Sequence, residues 1–191
     1  MSLLCYNTCK GIDLMGIYLN PDNTDFKELR NSTICVDKSL LIEYTNSVMN
    51  TKDKYICVSR PRRFGKSTDA NMLIAYYSKG CDSASLFSDL NIAQTSKYQV
   101  HLNQHHVIFI NMQEFYDNCD TIKELKEQLS QILLIELKAA FDNILYYDDK
   151  NLILSLKNIN DQAKQKFIFV IDEWDCVLRD KDAPQEEKNH F

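Results

Sequence analysis

A chain of 191 residues, 45 % of them hydrophobic, is long enough for one α/β domain; a chain of this size buries about 70 % of its unfolded surface. Lys+Arg 22 against Asp+Glu 27 gives a formal net charge of −5, which argues against direct nucleic-acid binding, since such domains are usually basic. No apolar run approaches the roughly 18–20 residues of a membrane span, and the N-terminus lacks the basic-then-apolar order of a secretory signal.

Residues 1–14 show no periodicity and are expected to be a loosely held extension. Asn20-Pro21-Asp22-Asn23 signals a turn, and Asp25 to Arg30 a short helix. Asp37 is expected to cap a helix running to about Asn50, with Leu40, Leu41, Tyr44 and Val48 as its apolar stripe. Val36-Asp37-Lys38 reads either as simple capping or as a contact to a nucleotide base or ribose.

Tyr55-Ile56-Cys57-Val58 is an apolar run expected to form a strand. It leads into Ser59-Arg60-Pro61-Arg62-Arg63-Phe64-Gly65-Lys66-Ser67-Thr68, and a helical pattern follows. Strand, loop with Gly-Lys-Ser, then helix is the context of a phosphate-binding loop. The unpaired amides and positive dipole end of a helix starting near Gly65 suit a polyphosphate. Lys66 would reach the β- and γ-phosphates, and the Ser67 hydroxyl would hold Mg²⁺. Arg60 occupies the first position of the usual G-x-x-x-x-G-K-[ST] pattern, where glycine eases the backbone bend. Pro61 fixes φ at one point of the loop, while Arg60, Arg62 and Arg63 add forks that match phosphate oxygens. The helix after the loop is expected to pack Ala70, Leu73, Ile74 and Tyr77 on one face and to stop at Lys79-Gly80.

Residues 81–105 read as short helical and loop pieces around Leu86, Phe87, Leu90 and Ile92. His101, His105 and His106 have no cysteine or carboxylate partners at ligand spacing, so a surface loop is expected there rather than a metal site. Val107 to Asn111 reads as a second buried strand. Thr121 to Phe141 is an amphipathic helix opened by a Thr121–Glu124 capping box, with Ile132 to Ile135 deeply packed. Asp148 to Ile159 is expected to be another helix.

Phe167-Ile168-Phe169-Val170-Ile171 is a continuous apolar run ending in Asp172-Glu173, which reads as a strand buried on both faces of a parallel sheet. Acids at such a strand's C-terminal end sit where open α/β sheets bind ligands. Asp172 would orient a Mg²⁺-bound water, and Glu173 would activate the attacking water. Residues 180–191 form a charged tail. Seven scattered cysteines without a C-x-x-C pair argue against zinc and fit a reducing, cytoplasmic setting; Cys57 and Cys176 are expected as small core residues.

Arg60-Pro61-Arg62-Arg63-Phe64-Gly65-Lys66-Ser67 resembles the signature of the bacterial AAA-ATPase-like proteins. Ile171-Asp172-Glu173-Trp174-Asp175 resembles their second signature, with Trp174 where Tyr is usual, and Val36-Asp37-Lys38-Ser39 resembles their N-terminal element. The resemblance spans about Met15 to Arg179 and makes the missing first glycine a family trait. It implies ATP and Mg²⁺ as ligands, residues 60–68 as the nucleotide loop (Arg60, Pro61, Arg62, Arg63, Phe64, Gly65, Lys66, Ser67, Thr68), and Ser67 with Asp172 at the metal. It also implies Lys66 and Glu173 in catalysis, with Asn111 either an ordinary strand end or the polar residue that holds Glu173 from water.

The fold implied is a three-layer α/β parallel sheet of the P-loop NTPase kind, with residues 15–179 as its N-terminal part. In that fold a later strand lies between the phosphate-loop strand and the acidic strand, so the module is expected to be incomplete at its C-terminal side. Relatives commonly carry a C-terminal restriction-nuclease-like domain. The functions implied are Mg-dependent ATP hydrolysis in the full-length context, weak in this segment alone, or a nucleotide switch controlling an effector domain. Such enzymes also use an arginine finger supplied in trans or in cis, and the partners compatible with the resemblance are an effector domain, a protein partner or a homo-oligomer.

Overall fold

The computed structural model describes residues 15–59, 63–180 and 185–190. Its helices are α1 (Thr24–Arg30), α2 (Leu40–Val48), α3 (Lys66–Tyr77), α4 (Ala84–Phe87), α5 (Tyr98–His101), α6 (Met112–Tyr116), α7 (Ile122–Ala140), α8 (Leu152–Ala163), α9 (Cys176–Arg179) and α10 (Gln185–His190). A 3₁₀ turn covers Asn91–Gln94. The strands are β1 (His106–Asn111) and β2 (Phe167–Asp172), paired in parallel with Val107 opposite Ile168 and Asn111 opposite Asp172.

The sheet divides two apolar cores, because successive side chains on a strand point to opposite faces. Val107, Phe109, Ile168 and Val170 pack with α3 and the short helices around it. Ile108, Ile110 and Phe167 pack with α6, α7 and α8. Helices therefore pack on both sides of the two-stranded parallel sheet, and β1 is the better covered of the two strands. By the same alternation Asp172 lies on the α3 face, with Val170.

The free edge of β1 is covered by the segment around Leu19, which runs antiparallel to it. Asn20 N–H donates to the Val107 carbonyl at 2.7 Å, and Phe109 N–H to the Tyr18 carbonyl at 2.9 Å. Among the described residues nothing pairs with the other edge of β2. The expected strand at Tyr55–Val58 is absent: the run has no regular secondary structure and is exposed. A strand needs a partner for its amides, and beside this run none of the described residues supplies one. Phe169 and Ile171 are correspondingly half exposed, so β2 is not covered on both faces.

Several local expectations shift. Asp37 does not cap α2; the helix starts at Leu40, and its buried positions are Ile42 and Asn46, while Leu40 and Tyr44 face solvent. The cause is the α3 surface it meets: Asn46 Oδ1 accepts from the Tyr77 hydroxyl at 2.7 Å, and its Nδ2 donates to Tyr76 at 3.2 Å. Helix α3 is buried around most of its circumference rather than on one face, with Tyr76 and Tyr77 both in the core. Helix α8 starts at Leu152, where Asn151 caps it by accepting the Leu154 amide at 3.0 Å, and it ends at Ala163, four residues past the expected Ile159. In α7 Ile135 is 69 % exposed, not deeply packed. Cys57 is exposed and Cys176 buried. His106 is no loop residue: it opens β1 and is buried.

Candidate functional site

Arg60, Pro61 and Arg62 lie outside the described residues, as do residues 1–14. The rest of the loop is placed by its glycine. Gly65 is the residue before α3 and has φ +79°, ψ +33°, the left-handed conformation that glycine adopts without penalty. The first helical bond of α3 runs from Asp69 N–H to the Gly65 carbonyl at 2.9 Å. The amides of Ser67 and Thr68 therefore precede any intrahelical acceptor and point along the axis at the helix entry. Ser67 is exposed there.

The direction of α3 decides where that entry lies. At the far end of α3, Asn103 N–H donates to the Tyr76 carbonyl at 2.7 Å and His105 N–H to the Tyr77 carbonyl at 3.0 Å. Ser78 bridges His105 in parallel, just before β1 begins. The C-terminal end of α3 is thus fixed at the N-terminal end of the strands. A 12-residue helix is about 18 Å long and six strand residues about 20 Å. Helix α3 contacts both strands, so it runs from their N-terminal end toward the end where Asn111 and Asp172 sit side by side.

Asp172 is 8 % exposed, and its Oδ1 accepts the Glu173 amide at 2.9 Å. Glu173 adopts φ +52°, a left-handed backbone that costs a non-glycine residue about 1 kcal/mol. Its carboxylate forms an ion pair with Arg179, whose Nε also lies 3.0 Å from Asp175 Oδ1. Asn111 is bonded locally: its Oδ1 accepts from the Gln113 amide at 3.2 Å and its Nδ2 donates to Glu114 at 2.9 Å. Arg179 is the residue that sequence reasoning missed. Its only signal is spacing, four residues beyond Asp175 on the short α9.

A cavity of about 260 Å³ adjoins the Gly65 turn, walled by Leu29, Val36, Lys38, Thr68 and Met72. Lys38 Nζ lies 3.0 Å from both the Phe64 carbonyl and Asp69 Oδ1. Asp37 fastens this wall: Oδ1 accepts the Ser39 amide and Oδ2 the Asn91 amide, each at 2.8 Å. Burial alone would raise the Asp37 carboxyl, but these bonds, with Arg30 nearby, hold it below its usual value. Among the described residues no cluster of three or more His, Cys, Asp or Glu could hold a metal ion by itself, and no helix is long and apolar enough to cross a membrane.

A family model described as "Predicted AAA-ATPase" matches residues 23–189. Comparison with curated proteins and with solved structures returned no match.

Proposed function

The chain belongs to the AAA-ATPase-like family, and from that premise we propose that it binds ATP at the entry of α3 and supports Mg²⁺-dependent hydrolysis when its full-length context supplies the remaining groups. The observation that supports this reading is the direction of α3: its C-terminus is fixed at the N-terminal end of the strands, so its entry at the left-handed Gly65 is directed toward the end that the buried Asp172 closes. The amides at the start of α3 hold the phosphates, with Lys66 neutralising their charge. Arg63 and the other loop arginines add charge-assisted bonds. The base and ribose extend into the adjoining cavity.

A hydroxyl and a carboxylate, Ser67 and Asp172, are oxygen donors of the kind a hard cation takes. The bound Mg²⁺ would supply charge neutralisation on the phosphates. Glu173 serves as the base that takes the proton from the attacking water. For that its carboxylate must leave Arg179.

The same ion pair favours a second reading, a nucleotide switch without turnover that moves an effector. Trp174, beside Glu173 and 46 % exposed, reports on both. Its fluorescence should change on titration with Mg-ATP, and Lys66→Ala should abolish the response at millimolar nucleotide. Glu173→Gln should keep binding and stop turnover. Unchanged ATP affinity in the Lys66 variant would remove the basis of the ATPase reading; binding without turnover in the full-length protein would select the switch.

A further inference from the structure

Two observations converge on Lys38. Its Nζ donates to the Phe64 carbonyl, in the turn before α3, and pairs with Asp69 in the first turn of α3, each at 3.0 Å. It also fills the space under Gly65, where a Cβ would come within 2.7 Å of Nζ. Asp69 is 8 % exposed, so its charge is held in a poorly solvated place at the same helix end that is proposed to receive phosphate. An unpaired carboxylate there would repel a polyphosphate. Lys38 itself is held from behind, because Asp37 and Ser39 accept the amides of Asn91 and Ile92 at 2.8 and 3.0 Å.

We infer that Lys38 is a positioning residue for the phosphate-binding turn: it ties the Phe64–Gly65 turn to the first turn of α3 and masks the Asp69 charge, so that the amides after Gly65 are aimed and unopposed. The inference rests on the nucleotide-binding reading above, but it assigns to the Val36–Ser39 element a role on the phosphate side of the ligand.

Binding of ATP and of inorganic tripolyphosphate to the whole 191-residue chain tests it, read by Trp174 fluorescence and by calorimetry, alongside thermal melts. Lys38→Met alone leaves Asp69 buried and unpaired and is expected to lower stability as well as affinity. The Lys38→Met/Asp69→Asn variant removes both charges and is expected to melt close to the parent. It should nevertheless bind ATP and tripolyphosphate more weakly by the same factor, about tenfold, since the tie to Phe64 is lost. A merely structural ion pair predicts the reverse, affinity restored together with stability, and parental affinity in the double variant overturns the inference while leaving the nucleotide site intact. Failure of the parent chain to bind either ligand overturns the nucleotide reading and the positioning role with it.

Discussion

His106 shows how one residue's surroundings set a property of the whole chain. Asn20 Oδ1 accepts the Val107 amide at 2.9 Å, so the Asn20 amide group, 3.0 Å from His106 Nδ1, donates to that nitrogen. Nδ1 must then be unprotonated, and the neutral ring stacks edge-on against Phe141. Burial, with Lys79 and His105 nearby, pushes His106 from 6.5 down to about 4; burial and His101 do the same to His105. A depressed pKa means that the unfolded chain takes up more protons between those values. Stability from this source is therefore complete above pH 6.5, falls as the pH drops toward 4, and is level below that. The scale is at most about 3 kcal/mol for His106 and less for the partly buried His105. Denaturant melts from pH 7.5 to 4 should show the decline, and His106→Gln, which keeps a neutral acceptor, should flatten it by about half. An unaltered slope would mean that His106 is not the group responsible. The sequence marked the three histidines as a loop because no period distinguishes His106 from its neighbours; only the strand that begins there buries it.

At the scale of elements, the long helix was legible and its most consequential residue was not. The capping box at Thr121 and the apolar stripe of α7 follow from local spacing, and Thr121 Oγ1 indeed accepts the Glu124 amide at 3.2 Å. Glu136 falls inside that stripe, four residues from Ile132 and three from Leu133, an acid among apolar positions. In the structure its carboxylate accepts the amides of Ile17, Tyr18 and Leu19 at 2.9, 3.0 and 2.6 Å. Those residues would otherwise present unpaired donors while lining the edge of β1. Gly16 permits the approach, since a Cβ there would fall 2.5 Å from Glu136 Oε2. An acid inside an apolar stripe is a signal, but its partners lie 117 or more positions away and nothing local names them. Charge-assisted bonds to a carboxylate contribute about 1.5–3 kcal/mol, so Glu136→Ala should lower stability by about 3 kcal/mol. It should also strip hydrogen-exchange protection from the Phe109 amide, which donates to Tyr18. Full protection in that variant would show that residues 17–20 hold to β1 without α7.

For the whole molecule, the apolar runs at 55–58 and 167–171 had the composition of buried strands, and the structure buries neither fully. Composition records what a segment is able to pair with; pairing itself needs a neighbour. Lys166 Nζ donates to Asn50 Oδ1 at 3.2 Å, which holds Asn50, five residues before Tyr55, beside the start of β2. Phe169, Ile171, Trp174 and Leu178 are all close to half exposed on and after β2. Apolar side chains beside an open strand edge invite intermolecular pairing. The isolated 191-residue chain should therefore associate as its concentration rises, show concentration-dependent light scattering and bind an apolar dye. Ile171→Lys puts a charge into that exposed row without emptying either core. It should reduce association while changing unfolding free energy by no more than about 0.5 kcal/mol. A parent chain that stays monomeric at high concentration and melts cooperatively at high temperature would show that the open edge of β2 is no liability, and that two cores around two strands suffice for an independent domain.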